Sequence, residues 1–97
     1  MKKLIGTVNI YKSGNKQRIL RFYFPKNVVE VLGKSIVLDI HKMSIRRASI
    51  DDVKTLTIGK LQTTIAIDDD ISNYLGYYNI FQKDEDHFKL KRCLETA

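Results

Sequence analysis

The chain has 97 residues, a formal net charge of +6 and one cysteine, Cys93. A lone cysteine cannot make an internal disulfide, and the apolar runs are too short to span a membrane, so we expect a single cytoplasmic domain over residues 1–97. The basic and apolar start of the chain is interrupted at Gly6, too early for a signal peptide.

The first half of the chain predicts two strands, a short helix and a third strand. The strands lie at about residues 5–11, 18–24 and 35–40, and the helix lies at about 26–32. Pro25 has no N–H for a strand ladder but suits a first helical turn, and Gly33 is typical of the residue that follows a helix. Val28, Val31 and Leu32 have the spacing of one apolar helix face. A connector with a capping-box pattern is predicted at about 41–52.

The second half repeats this order at an offset of 43 residues. Strands are predicted at about residues 54–58, 62–67, 78–81 and 87–91, with a second short helix at about 69–75. The pair Leu75-Gly76 corresponds to Leu32-Gly33, but two unrelated segments with a generic pattern would look the same. We expect a mostly β fold with two short helices, in which half-repeats at about 5–43 and 48–91 share the core of one small β-barrel.

Positive charge is concentrated in the first half of the chain. Residues 1–48 hold eleven Lys and Arg against two acidic residues, a net charge of +9, whereas residues 49–97 hold six against nine, a net charge of −3. A basic surface of this kind attracts a polyanion. The alternative is an ordinary, well-solvated surface rich in lysine.

The basic residues cluster around two turns. We expect residues of the first turn and the following strand to contact the phosphates of duplex DNA, with two arginines farther along the chain as flanking contacts. The residues are Lys12, Lys16, Arg18, Arg21 and Lys26, flanked by Arg46 and Arg47. Strand alternation places Arg18 and Arg21 on opposite faces unless a bulge or a longer turn intervenes.

Other residues near the first turn have two interpretations. Ser13, Asn15 and Gln17 can bind phosphates or base edges, but these residue types also stabilise turns through their own backbone. Tyr11 and Tyr23 can stack on unpaired bases, as aromatic residues do in single-strand binders, or lie half-buried in a barrel wall.

Enzyme and metal chemistry are not indicated. His41 and His87 lie far apart in sequence and outside any Cys/His cluster with ligand spacing, and no phosphate-binding glycine loop or nucleophile motif is present. Asp68, Asp69 and Asp70 precede the second predicted helix, where acidic side chains cap backbone N–H groups. We therefore expect no catalytic residue, no metal site and no cofactor.

A short motif runs through residues 5–43. It consists of Gly6-Thr7-Val8, Arg21 four residues before Pro25, Leu32-Gly33 at the helix end, and Val37-Leu38-Asp39-Ile40. The motif resembles the N-terminal DNA-binding domains of the AbrB/MazE/SpoVT group, the swapped-hairpin barrels. The second half resembles it weakly, without the proline.

The resemblance implies a transcriptional regulator or antitoxin that assembles two ββαβ halves into a barrel, binds DNA with a basic face and forms a homodimer. Only Arg21 is carried over as a DNA contact of the family type, because Val29 and Glu30 stand where bacterial members have paired arginines. The alternative is a protein-binding module, such as an antitoxin or an inhibitor of a host factor, whose acidic second half meets a basic partner.

Overall fold

The computed structural model describes residues 2–15 and 18–93, and within them the chain is mostly β. The strands are β1 (Lys3–Lys12), β2 (Ile19–Tyr23), β3 (Ser35–Asp39), β4 (Ser44–Arg47), β5 (Leu56–Thr57), β6 (Gln62–Ala66), β7 (Gly76–Gln82) and β8 (His87–Arg92). A helix, α1 (Lys26–Leu32), follows β2, and a single 3₁₀ turn (Ile71–Asn73) precedes β7.

The strands form one sheet that nearly closes into a barrel. Neighbouring strands run antiparallel in the order β5-β3-β4-β8-β7-β1-β2-β6. The end strands β5 and β6 are joined by a tight turn that is closed by a bridge between Gly59 and Gln62. The Phe24 amide donates to the Leu61 carbonyl at 2.9 Å, which extends the β2–β6 ladder to this turn. Closure pairs strand edges that would otherwise be exposed. The prediction of a mostly β, barrel-like fold is confirmed.

The two halves pair with each other in a symmetric register. Adding 43 to the bounds of β2 gives those of β6, and adding 43 to Ser44, where β4 starts, gives His87, where β8 starts. The central pairs of the β2–β6 and β4–β8 ladders, Arg21↔Thr64 and Ile45↔Phe88, also join residues 43 apart. An approximate internal twofold axis would produce these registers. The common origin of the two halves remains a prediction.

The first predicted helix is present, but the second is not. Residues 26–32 form α1, which buries Val28 and Leu32, whereas only residues 71–73 of the predicted 69–75 helix form a 3₁₀ turn. The Asp70 carboxylate accepts from the Ser72 amide at 3.0 Å, so short polar side chains satisfy the backbone here without a helix. None of the helices in residues 2–15 and 18–93 is long and apolar enough to cross a membrane.

The predicted connector at 41–52 is also wrong in part, because residues 44–47 form β4. This strand pairs with β3 on one side and β8 on the other, and it buries Ile45 between two residues that face outward. The polar–apolar–polar alternation of Ser44, Ile45 and Arg46 is typical of a strand. A strand of only four residues is nevertheless a weak pattern without knowledge of the neighbouring strands.

The barrel interior is filled by the inward side chains of alternating strand positions and by one face of α1. The most deeply buried are Phe22, Phe24, Phe88, Ile10, Leu20, Leu32, Ile36, Ile45, Ile80, Val8 and Val28. The rings of Phe22 and Phe24 stack with their centroids 6.2 Å apart. Because these positions fix which way each strand faces, the alternate residues of β1, β2, β6 and β7 lie on the outer face of the barrel.

Candidate nucleic-acid interface

Arg21 lies on the outer face of β2, and neutral side chains hold its guanidinium. Nη1 donates to Oε1 of Gln62 at 2.8 Å, and Nη2 donates to Oγ of Ser13 at 3.0 Å. Tyr11 on β1 and Thr64 on β6 are its direct neighbours across the sheet. No ion pair joins Arg21 to any residue in the described part of the chain. Arg21 is thus oriented by two hydrogen bonds and keeps its full charge.

Lys12 and Arg18 flank the β1–β2 turn and are exposed. Lys12 is the last residue of β1, and Arg18 lies in the turn just before β2, where its carbonyl accepts from the Ile67 amide at 2.9 Å. Because Arg18 lies in the turn, the strand alternation that places Arg21 on the outer face does not apply to Arg18. Lys16, another predicted contact, lies outside the residues that the structure describes.

The structure separates the other predicted turn residues by burial. Ser13 is only 7% exposed and its hydroxyl accepts from Arg21, so it orients the arginine rather than facing a ligand. Asn15 is exposed in the turn, and Gln17 lies outside the described residues. Lys26 is exposed at the start of α1, beyond the opposite end of β2 from Lys12.

Arg46 is neutralised by a carboxylate. It donates to both carboxylate oxygens of Asp52, at 2.7 and 2.9 Å, and Asp52 also accepts from the Ser49 amide at 2.6 Å. The hydrogen bond from Arg46 holds the pKa of Asp52 far below its usual range, and the Ser49 amide lowers it further. The ion pair therefore fixes the β4–β5 loop, residues 48–55.

Arg47 has a structural partner as well. Its Nε and Nη2 donate to the Val31 carbonyl at 3.1 and 2.5 Å, which satisfies a free carbonyl in the last turn of α1. Its guanidinium carbon also lies 5.9 Å from the ring centroid of Phe88. In the nearly closed ring, three strands separate β4 from β2 in either direction. The structure thus places Arg46 and Arg47 on the side of the barrel opposite Arg21.

Lys60 was missed by sequence reasoning and lies beside Arg21. The two line a cleft of about 400 Å³ together with Thr57, Gly59, Gln62, Thr63 and Thr64. Lys60 and Leu61 have φ values of 51° and 66°, as in the central residues of a type I′ hairpin turn. The Gly59-Lys60 sequence predicts a turn, but only the pairing of β6 with β2 brings that turn to Arg21.

A second basic group was also missed, because it combines both ends of the chain. Strand pairing brings Lys2, Lys83, Lys89 and Lys91 together, because Lys3 pairs with Gln82 and Phe81 pairs with Lys89, and the Lys91 ammonium lies 5.7 Å from the ring centroid of Phe81. These four lysines are here called the lysine cluster, and repulsion by the charge of Lys91 lowers the pKa of Lys2. The alternation of apolar and basic residues along β8 predicts that Lys89 and Lys91 face outward. Their proximity to Lys2 depends on the β1–β7 pairing, which no local pattern contains.

The remaining candidates have structural roles. The Asp84 carboxylate lies 2.8 Å from Nδ1 of His87, and this hydrogen bond lowers the pKa of Asp84. Asp70 caps the 3₁₀ turn, in agreement with the capping interpretation. Within residues 2–15 and 18–93, no three His, Cys, Asp or Glu side chains are grouped so that they could hold a metal ion.

Comparisons with models of protein families, with curated proteins and with solved structures gave no match.

Proposed function

We propose that this chain binds DNA through the outer face of β1, β2 and β6, with Arg21 at the centre of the contact surface. The observation that carries the proposal is the difference between two arginines. Arg46 donates to a carboxylate, whereas Arg21 donates to an amide and a hydroxyl. An arginine oriented by neutral acceptors keeps its charge and its other N–H donors for an anion.

The surroundings of Arg21 support a phosphate ligand. Lys60 lines the same cleft as Arg21, and Lys12 and Arg18 are exposed at the nearby end of the β1–β2 hairpin. The neighbours of Arg21 across the sheet are Tyr11 and Thr64, which carry no charge. Phosphate contacts supply most of the non-sequence-specific affinity of DNA-binding proteins. Arg46 and Arg47 are left out of the proposed surface, because each has an internal partner on the far side of the barrel.

A regulator of the AbrB type is the biological role that we propose for this DNA binding. The support is the motif resemblance in residues 5–43 and the barrel-like sheet, in which Arg21 lies four residues before Pro25 and just before α1. A homodimer, as in that group, would double the number of phosphate contacts.

The experiment is a salt series of DNA binding, followed by the fluorescence anisotropy of labelled duplex and single-stranded oligonucleotides. For duplex DNA, we expect a dissociation constant of about 10⁻⁴ to 10⁻⁶ M at physiological salt and a linear log–log salt dependence. Arg21→Gln should weaken binding and flatten that slope by about 0.9 on duplex DNA.

The matched control is Lys54→Gln, which removes one exposed charge from the β4–β5 loop and should leave both affinity and slope unchanged. Circular dichroism of each variant confirms that the fold is retained. If neither duplex nor single-stranded DNA binds in a salt-dependent manner at about 50 mM salt, the proposal is wrong. Equal effects of the two variants would show that Arg21 is not at the centre of the surface.

A protein-binding function is the second candidate, and one feature favours it. Ile50 and Val53 are 100% and 95% exposed in the β4–β5 loop, which the Arg46–Asp52 ion pair holds in place. Two apolar side chains on a fixed loop can anchor a protein partner. Ile50→Ser together with Val53→Ser should then abolish capture of that partner and leave DNA binding unchanged.

A further inference from the structure

Two tyrosines are exposed in a single row across the outer face of the barrel. Tyr77 on β7 pairs with Asn9 on β1, Asn9 pairs with Tyr23 on β2, and Tyr23 pairs with Gln62 on β6. Residues directly opposite each other in a sheet point to the same side. Tyr77 is 62% exposed and Tyr23 is 41% exposed, so both rings are accessible to a ligand.

These two tyrosines differ from the tyrosines that support the fold. The Tyr78 hydroxyl donates to the Tyr74 carbonyl at 2.9 Å, and the Tyr74 hydroxyl donates to Asp69 at 3.1 Å. No hydrogen bond joins the Tyr23 or Tyr77 hydroxyl to a residue in the described part of the chain. A ligand can therefore cover both rings without breaking a hydrogen bond among the described residues.

The spacing and polarity of the row suit nucleobases. With one strand between them, Tyr23 and Tyr77 are about 9 to 10 Å apart in the sheet, which leaves each ring free to take its own base. The side-chain amides of Asn9 and Gln62 alternate with the rings along the row and can pair with base edges, although Gln62 already accepts from Arg21.

Positive charge lies on both sides of the row. On one side, the next outward row places Arg21 between Tyr11 and Thr64. On the other side, Lys91 pairs with Asn79, which pairs in turn with Thr7, and Lys91 belongs to the lysine cluster. None of the side chains in these three rows is a carboxylate, so a phosphate backbone meets only neutral or positive groups along the face.

From this arrangement we infer that the row Tyr77–Asn9–Tyr23–Gln62 is a stacking platform for the unpaired bases of single-stranded DNA. The inference rests on the proposed function and specifies the form of DNA that the face takes. Two unpaired bases stack on Tyr23 and Tyr77, while the phosphates between and beside them contact Arg21 and Lys91. In a duplex the faces of the bases are stacked inside the helix. A duplex can therefore contact the charged residues of this surface, but its bases cannot stack on Tyr23 and Tyr77.

The test compares three ligands of equal length and label: single-stranded oligo(dT), a duplex, and an abasic oligonucleotide that has the phosphates without the bases. Oligo(dT) should bind most tightly. Tyr77→Ala and Tyr23→Ala should each weaken oligo(dT) binding by about 5- to 150-fold, the equivalent of one lost stacked base, and leave abasic binding unchanged. Tyr77→Phe, which keeps the ring, should bind like the wild type.

Val53→Ala is the control variant, because it truncates an exposed apolar side chain on the β4–β5 loop and should change nothing. If oligo(dT), duplex and abasic ligands bind equally well and the tyrosine variants behave like the wild type, the stacking platform is wrong while DNA binding stands. If none of the three ligands binds at about 50 mM salt, the proposed function itself fails.

Discussion

Gly6 allows α1 to pack against β1. A Cβ built on Gly6 would lie 2.5 Å from Cγ2 of Val28, and Gly6 has φ +154° where the register shifts between Leu4 and Gly6. Gly33, which ends α1, has φ +84° and ψ 172°, a region that only glycine occupies readily, although a Cβ there would have no neighbour within 4 Å. At Gly6 there is no space for a side chain, whereas at Gly33 only the backbone conformation requires glycine.

Three alanine substitutions test this distinction. Gly33→Ala should lower the free energy of unfolding by about 1 to 2 kcal/mol through backbone strain alone. Gly6→Ala should cost more, about 2 to 5 kcal/mol, because the clash with Val28 adds to the strain. Gly59→Ala, which has open space and an ordinary φ, is the control and should change stability by less than about 0.5 kcal/mol. Urea unfolding gives the three values, and a Gly6→Ala protein as stable as Gly59→Ala would contradict the close packing of α1.

Asp52 gives stability a defined dependence on pH. Its folded pKa lies below the ordinary value of 3.8, so its contacts with Arg46 and Ser49 contribute fully above that value and are lost as the pH falls through the folded pKa. The difference in Tm between the wild type and Asp52→Asn should therefore be constant above about pH 5 and shrink below about pH 4. Thermal unfolding at several pH values measures it, with Asp51→Asn as control. A difference that grows on acidification would reverse the assigned direction.

At the level of elements, α1 depends on Arg47 from a distant strand. Arg47→Met keeps the apolar stem but removes the hydrogen bonds to the Val31 carbonyl, so we expect a loss of about 1 to 2 kcal/mol in unfolding free energy. The salt dependence of DNA binding should not change. Arg18→Met should show the opposite pattern, with little loss of stability and a flatter salt slope. If Arg47→Met instead weakened DNA binding at full stability, the flanking contact expected from the sequence would be restored.

The β5–β6 hairpin turn offers a substitution that separates function from stability. Lys60 has a positive φ that asparagine adopts more readily than lysine. Lys60→Asn should therefore leave stability unchanged or slightly increased, while it flattens the salt slope of duplex binding by about 0.9. Chemical denaturation and the binding series together measure both quantities. An unchanged slope would place Lys60 outside the contact surface.

Local patterns predicted the elements whose signals are contained within one segment. Pro25 and Gly33 mark both ends of α1, and the outward position of Arg21 follows from its place between Leu20 and Phe22, which are buried. The role of Arg47 could not be predicted, because its partner, Val31, lies 16 residues away and is reached only when β4 packs near the end of α1. The prediction of a second helix was wrong because aspartates that cap a helix also stabilise a shorter turn.

For the whole molecule, charge is separated by structural element rather than by half of the chain. The acidic residues of residues 49–93 lie in turns and loops, at positions 51–52, 68–70 and 84–86, whereas Lys89 and Lys91 of the same half face outward from β8. The nearly closed barrel brings these lysines to Lys2 and leaves β7, β1, β2 and β6 as one outer face. The net charges of residues 1–48 and 49–97, +9 and −3, therefore predicted the position of the basic surface only in part.

Binding of DNA at this outer face is tested most directly by amide chemical shift mapping of the ¹⁵N-labelled protein during titration with oligo(dT) and with duplex DNA. We expect the largest shifts at Asn9, Arg21, Tyr23, Gln62 and Tyr77, and no significant shift at Ile50 or Val53. Shifts confined to the β4–β5 loop and the acidic turns, or no shifts at low salt, would contradict DNA binding at this face.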